Sequence, residues 1–70
     1  MATVNQLFNS IDKSIKNARY RRTLILIERR ARKYLNGFSG PEVKAGIKEN
    51  AQHRYQRSMK LMSEVRKKLS

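Results

Sequence analysis

Between positions 19 and 33 the sequence places Arg19, Arg21, Arg22, Arg29, Arg30, Arg32 and Lys33. Tyr20 stands among them, and Glu28 is the one acid between Lys13 and Asn36. Arginine's planar guanidinium holds a phosphate through two parallel hydrogen bonds and stacks on a base, whereas lysine offers a compact point charge. Arginine dominates this cluster, and lysine dominates the far end of the chain at Lys60, Lys67 and Lys68. The chemistry these residues suit is recognition of a polyanion through its phosphates. An exposed tyrosine beside the arginines would add stacking on an unpaired base. By helical angle Tyr34 and Tyr20 both lie towards the apolar stripe, which favours the core for each. Tyr20 stays with the candidates because of its neighbours in sequence.

Enzyme chemistry has no such concentration of groups. The acids Asp12, Glu28, Glu42, Glu49 and Glu64 are scattered, and His53 has neither a nucleophile nor metal-ligand companions beside it. Glu28 reads as a salt-bridge partner of the surrounding arginines. With no cysteine, a thiolate-bound metal is excluded. No glycine-rich phosphate loop of the P-loop or Rossmann type occurs. The expectation is a non-enzyme with no catalytic residues, no metal site and no cofactor.

The 70 residues carry 17 Lys+Arg against 5 Asp+Glu, a formal net charge of +12. Such an excess repels itself within a compact fold and raises the local concentration of any polyanion. Binding of that kind weakens with salt, because each neutralised phosphate releases counterions. The longest apolar run, Leu24–Ile27, is far below the ~18 residues of a membrane span. The opening MATVNQLFNS lacks the basic and apolar regions of a secretory signal, so a cytoplasmic location is expected.

These residues need helices to position them. Thr3 and Gln6 have the spacing of a capping box, and Val4, Leu7, Phe8, Ile11, Ile15 and Ala18 follow as one helical stripe. A second stripe, Leu24, Ile27, Ala31, Tyr34 and Leu35, lies on roughly the opposite side of a continuous helix. Either the chain breaks near Asn17–Arg22, giving three helices, or one long helix uses two contact faces. Neither Pro nor Gly is present there to force a break, which favours one helix. Leu24–Ile27 would cover its circumference and suggests burial on more than one side. Asn36-Gly37 then reads as a left-handed helix end, and Ser39 with Glu42 as a second capping box, with Pro41 in the first turn. Val43, Ile47, Ala51, Tyr55, Met59, Met62, Val65 and Leu69 form the next stripe. The expected fold is all-α: a single domain over residues 1–70, an antiparallel αα-hairpin with a helix over about 3–36, a turn at 37–40 and a helix over about 41–69.

The glycine-rich turn lies between very long predicted helices, unlike that of a helix-turn-helix, so backbone-driven binding is favoured over base reading in duplex DNA. RNA is favoured over DNA as the partner. The apolar faces are narrow and rich in Ala and Met, and each arm has the other to cover it, which argues against a membrane surface. A protein partner is the alternative, with Met59, Leu61 and Met62 as an adaptable contact. The thin core of a single hairpin also allows self-association into a homo-oligomer.

Arg21-Arg22-Thr23-Leu24 and the stretch Leu35-Asn36-Gly37-Phe38-Ser39-Gly40-Pro41-Glu42-Val43 resemble the YjiS-like family of small arginine-rich bacterial proteins. In that family an Arg-rich helix and a short apolar stretch precede an Asp-Ile-Gly-Leu-Ser-type turn, an acid and an aliphatic residue. Gly37, Phe38, Ser39, Glu42 and Val43 match the turn; Leu35-Asn36 stands where the family has Asp-Ile, and the alignment takes an insertion. The resemblance implies RNA binding and a role in RNA turnover or stress adaptation. Residues and resemblance together lead to one expectation: a small basic accessory protein, RNA- or ribosome-associated, that regulates by gripping the phosphate backbone through Arg19, Tyr20, Arg21, Arg22, Arg29, Arg30, Arg32 and Lys33. The alternative is a phage- or plasmid-type protein that docks on a host protein through its apolar helix faces.

Overall fold

A computed structural model describes residues 3–69 and contains three helices: α1 (Val4–Asn17), α2 (Arg21–Gly37) and α3 (Ala45–Lys68). The capping box at the start of α1 is formed. Gln6 N–H donates to Thr3 Oγ1 at 3.2 Å, and Thr3 N–H donates to Gln6 Oε1 at 2.9 Å. Both reciprocal bonds satisfy backbone donors that a helix start leaves without partners.

The single helix over 3–36 is not what the chain adopts. It breaks at residues 18–20, where Ala18 (ψ 135°) and Tyr20 (φ −132°, ψ 146°) are extended. Burial explains the break. The stripes Val4, Phe8, Ile11, Ile15 and Leu24, Ile27, Ala31 enter the same core. On one straight helix they would face opposite ways, so the chain must turn between them, and extended residues suffice without Pro or Gly. The all-around burial expected of Leu24–Ile27 is also corrected. Leu24 and Ile27 are buried, whereas Ile25 is 49% and Leu26 58% exposed.

Pairings across the core show how the helices run. Phe8, early in α1, meets Tyr34, late in α2, edge to face with ring centroids 6.4 Å apart, as antiparallel neighbours do. Asn9 and Asp12 of α1 pair in the same order with Arg54 and Ser58 of α3, so these two helices run the same way. The 24 residues of α3 span about 36 Å at 1.5 Å per residue, which accounts for most of the molecule's 40 Å long axis.

One polar group sits inside the α1–α3 contact. Ser58 is fully buried, and its Oγ donates to Asp12 Oδ1 at 2.6 Å. Arg54 Nη2 donates to Asn9 Oδ1 at 2.6 Å and reaches Asp12 Oδ2 at 3.4 Å. The expected third stripe is thereby altered: Ala51, Ser58 and Met62 are buried, while Tyr55, Met59, Val65 and Leu69 are partly covered. Ile47 remains exposed.

The α2–α3 link differs from the expected turn as well. Ser39 does not cap a helix; its Oγ donates back to Leu35 O at 2.9 Å. Pro41 lies in a reverse turn closed by Val43 N–H to Gly40 O at 3.1 Å, the second turn position that its fixed φ favours. The next helix therefore waits until Ala45, with Lys44 at the N-cap and no side-chain cap bond. Gly37 ends α2 without the left-handed conformation, since no described glycine has a positive φ.

Gly46 follows from the same observation. It lies in the first turn of α3, has no positive φ, and a methyl group added there would meet nothing within 4 Å. Glycine weakens a helix by about 0.5–1 kcal/mol relative to alanine, less near an end. Gly46→Ala should raise stability by about 0.5 kcal/mol and move the urea midpoint upwards; a lowered midpoint would place the start of α3 elsewhere.

Candidate nucleic-acid interface

Helix α2 carries most of the candidate residues, but the structure divides them. Arg19 and Tyr20 belong to the extended link before the helix. Tyr20 was expected in the core and is instead 71% exposed, because the break carries it off the apolar stripe. Arg21 and Arg22 occupy the first turn of α2, which contains no acid and has no side-chain N-cap. Cations are disfavoured at a helix N-terminus by the helix dipole. The helix itself therefore does not favour the positive charge of Arg21 and Arg22 in its first turn.

Arg22, Arg29 and Lys33 are exposed along α2, on the side away from buried Leu24, Ile27 and Ala31. Their spacing of seven and four residues puts them on one line along the helix. Ile25 and Leu26 are exposed on the same side.

Arg30 and Arg32 are held at the flanks by neighbours. Arg30 Nε donates to Tyr34 Oη at 2.9 Å, and its guanidinium carbon lies 5.6 Å from the Tyr34 ring centroid. Tyr34 is half-buried against Phe8, so the expected core role holds for its ring while its hydroxyl fixes Arg30. Arg32 lies 3.8 Å from Glu28, as the sequence suggested. Interaction with Tyr55, and then with Glu28, raises the Arg32 guanidinium further above its ordinary range, though an arginine is charged at physiological pH in any case. The cluster thus resolves into an arginine-rich end, an outward line and two oriented flanks.

A recess beside the line was not among the features expected from the sequence. Leu7, Arg30, Lys33, Tyr34, Gly37 and Phe38 line an open hollow of about 440 Å³ where the start of α1 meets the end of α2. Phe38 also borders a second hollow of about 310 Å³, shared with Val4 and Ile47. The missing side chain at Gly37 and an aromatic residue directly after it were the available signals. Their meaning depended on α1 folding back to bring Leu7 opposite.

The remaining ionisable groups are spread out. His53 is exposed on α3, 4.0 Å from Glu49. Among the described residues no three His, Asp or Glu side chains converge as metal ligands would, and no helix is long and apolar enough to cross a membrane. Comparison with protein families, curated proteins and solved structures finds no match to this chain.

Proposed function

We propose that this protein binds nucleic acid, RNA in preference to DNA, as a small accessory factor that grips the phosphate backbone through α2. The observation that carries the reading is the outward line of Arg22, Arg29 and Lys33, continued at the helix start by Arg19 and Arg21 and flanked by Arg30 and Arg32. The seven and four residues between members of the line correspond to about 10.5 and 6 Å at 1.5 Å per residue. Successive phosphates on a folded strand fall within that range, and arginine side chains adapt to the remainder. The formal charge of +12 supplies long-range attraction. RNA is favoured because a folded strand presents phosphates and unpaired bases together, which suits arginines with Tyr20 beside them. Ribosomal RNA and the transcripts implied by the YjiS-like resemblance are both suitable partners, and a cytoplasmic location follows from either.

Replacing Arg22, Arg29 and Lys33 together by Gln should weaken RNA binding at least tenfold near 0.1 M salt. It should also lower the slope of log K against log salt by roughly 2, since each phosphate contact contributes about 0.7–0.9. Fluorescence anisotropy across a salt series measures both. An unchanged slope in a folded variant would sink the assignment.

Exposed Ile25 and Leu26 favour a second reading, docking on an acidic protein surface. Aliphatic groups between cations add little to phosphate binding but suit a protein interface. Ile25→Gln with Leu26→Gln should leave RNA affinity nearly unchanged if the first reading holds. Loss of a nuclease-resistant protein partner in that variant would favour the second.

A further inference from the structure

The recess between α1 and α2 combines an apolar lining with two cations. Its lining combines half-buried Leu7, Tyr34 and Phe38 with exposed Arg30 and Lys33. Its volume of about 440 Å³ exceeds what one nucleobase needs. We infer that this recess receives a single unpaired base of a bound RNA strand, with the adjoining phosphate held by Arg30 and Lys33. The inference rests on the nucleic-acid reading and adds to it a place for a base.

Several observations favour this occupant. Arg30 is fixed over Tyr34 by the 2.9 Å bond from its Nε, which leaves its terminal N–H groups to donate outwards. A guanidinium so held is a stacking plane and a phosphate ligand at once. Lys33 belongs both to the recess and to the outward line of α2, so a strand following that line passes the opening. Phe38 is half-buried and also lines the recess. A methyl group added at Gly37 would meet nothing within 4 Å, so the space above it is open to a ligand. A base within a duplex cannot enter without leaving its stack. The recess therefore selects single-stranded or looped RNA over a paired helix, a preference the charged line alone would not confer.

The test uses the full chain and two fluorescein-labelled single-stranded RNAs of equal length, one with bases and one with abasic riboses throughout. Stacking of one base typically changes affinity by roughly five- to a hundredfold. The wild type should bind the base-bearing strand at least about fivefold more tightly. Gly37→Leu, which fills the recess from an open position, should reduce that preference several-fold while leaving the salt slope as it was. Circular dichroism confirms the helices. Should that variant fail to fold, photo-cross-linking of 4-thiouridine RNA to the wild type decides: cross-links at Phe38 or Tyr34 support the inference, and cross-links confined to Tyr20 overturn it. Equal affinity for both strands, or a preference unaffected in folded Gly37→Leu, overturns it while salt-dependent binding keeps the wider reading. Absence of salt-dependent binding to either strand overturns both.

Discussion

Phe8→Ala is expected to remove a large part of the protein's stability at 25 °C. Phe8 is fully buried, and its ring meets the edge of Tyr34 across the α1–α2 contact. Removing a buried Phe side chain costs about 3–5 kcal/mol through lost apolar transfer and the cavity left behind. At about 0.05–0.15 kcal/mol per residue, a chain of 70 residues has roughly 4–10 kcal/mol of stability in total. The core is too small to spread the loss, since no other fully buried residue is aromatic. Urea denaturation followed by circular dichroism measures it: the variant should lose most of its helical signal without denaturant or unfold at a much lower urea concentration. Phe38→Ala, at a half-buried position, is the control and should cost far less. Equal effects at the two positions would contradict the core described here.

Asp12→Ala should be nearly as damaging, for a different reason. Its carboxylate accepts from Ser58 Oγ and faces Arg54, with side chains of Arg54 and Asp12 only 11% and 20% exposed. Arg54 Nε already lacks a hydrogen-bond partner, so this guanidinium depends on Asn9 and Asp12. Removing one partner of a fully buried pair costs about 3–5 kcal/mol, because the other charge is left stranded. Partial exposure reduces this to about 2–3 kcal/mol. Replacing both members by apolar residues of similar size removes the stranded charge. Asp12→Leu with Arg54→Met should therefore be more stable than either single variant. A strictly additive loss in a double-mutant cycle would show that the two residues do not act as a pair.

Much of this fold could be read directly from the residues. The Thr3–Gln6 cap, the apolar stripes and the pairing of Glu28 with Arg32 depend on neighbours within four positions, where helical geometry applies on its own. Features requiring a third body were not legible. Whether residues 18–20 turn depends on both stripes needing one core, a demand made by α3 rather than by the local sequence. Ser39 has two possible partners in sequence, the N–H of Glu42 and the carbonyl of Leu35, and spacing does not choose between them. The candidate arginines were visible by type. Their division into an outward line, a Tyr34-bound flank and a Glu28-bound flank required the side-chain contacts. Tyr20 shows both sides of this: a helix running through position 20 would bury it, and the extended link exposes it.

The α1–α3 clasp also has a consequence for the order in which the protein can be made. Its bonds join residues 45 and 46 positions apart, from Asn9 to Arg54 and from Asp12 to Ser58. During synthesis α1 and α2 are complete while the partners of Asp12 are still untranslated, and closing so long a loop adds an entropic cost to their later docking. Residues of α1 and α2 are therefore made before the contact that ties α1 to α3 can form. Until Ser58 is made and free to fold, the Asp12 carboxylate lacks both of its α3 partners.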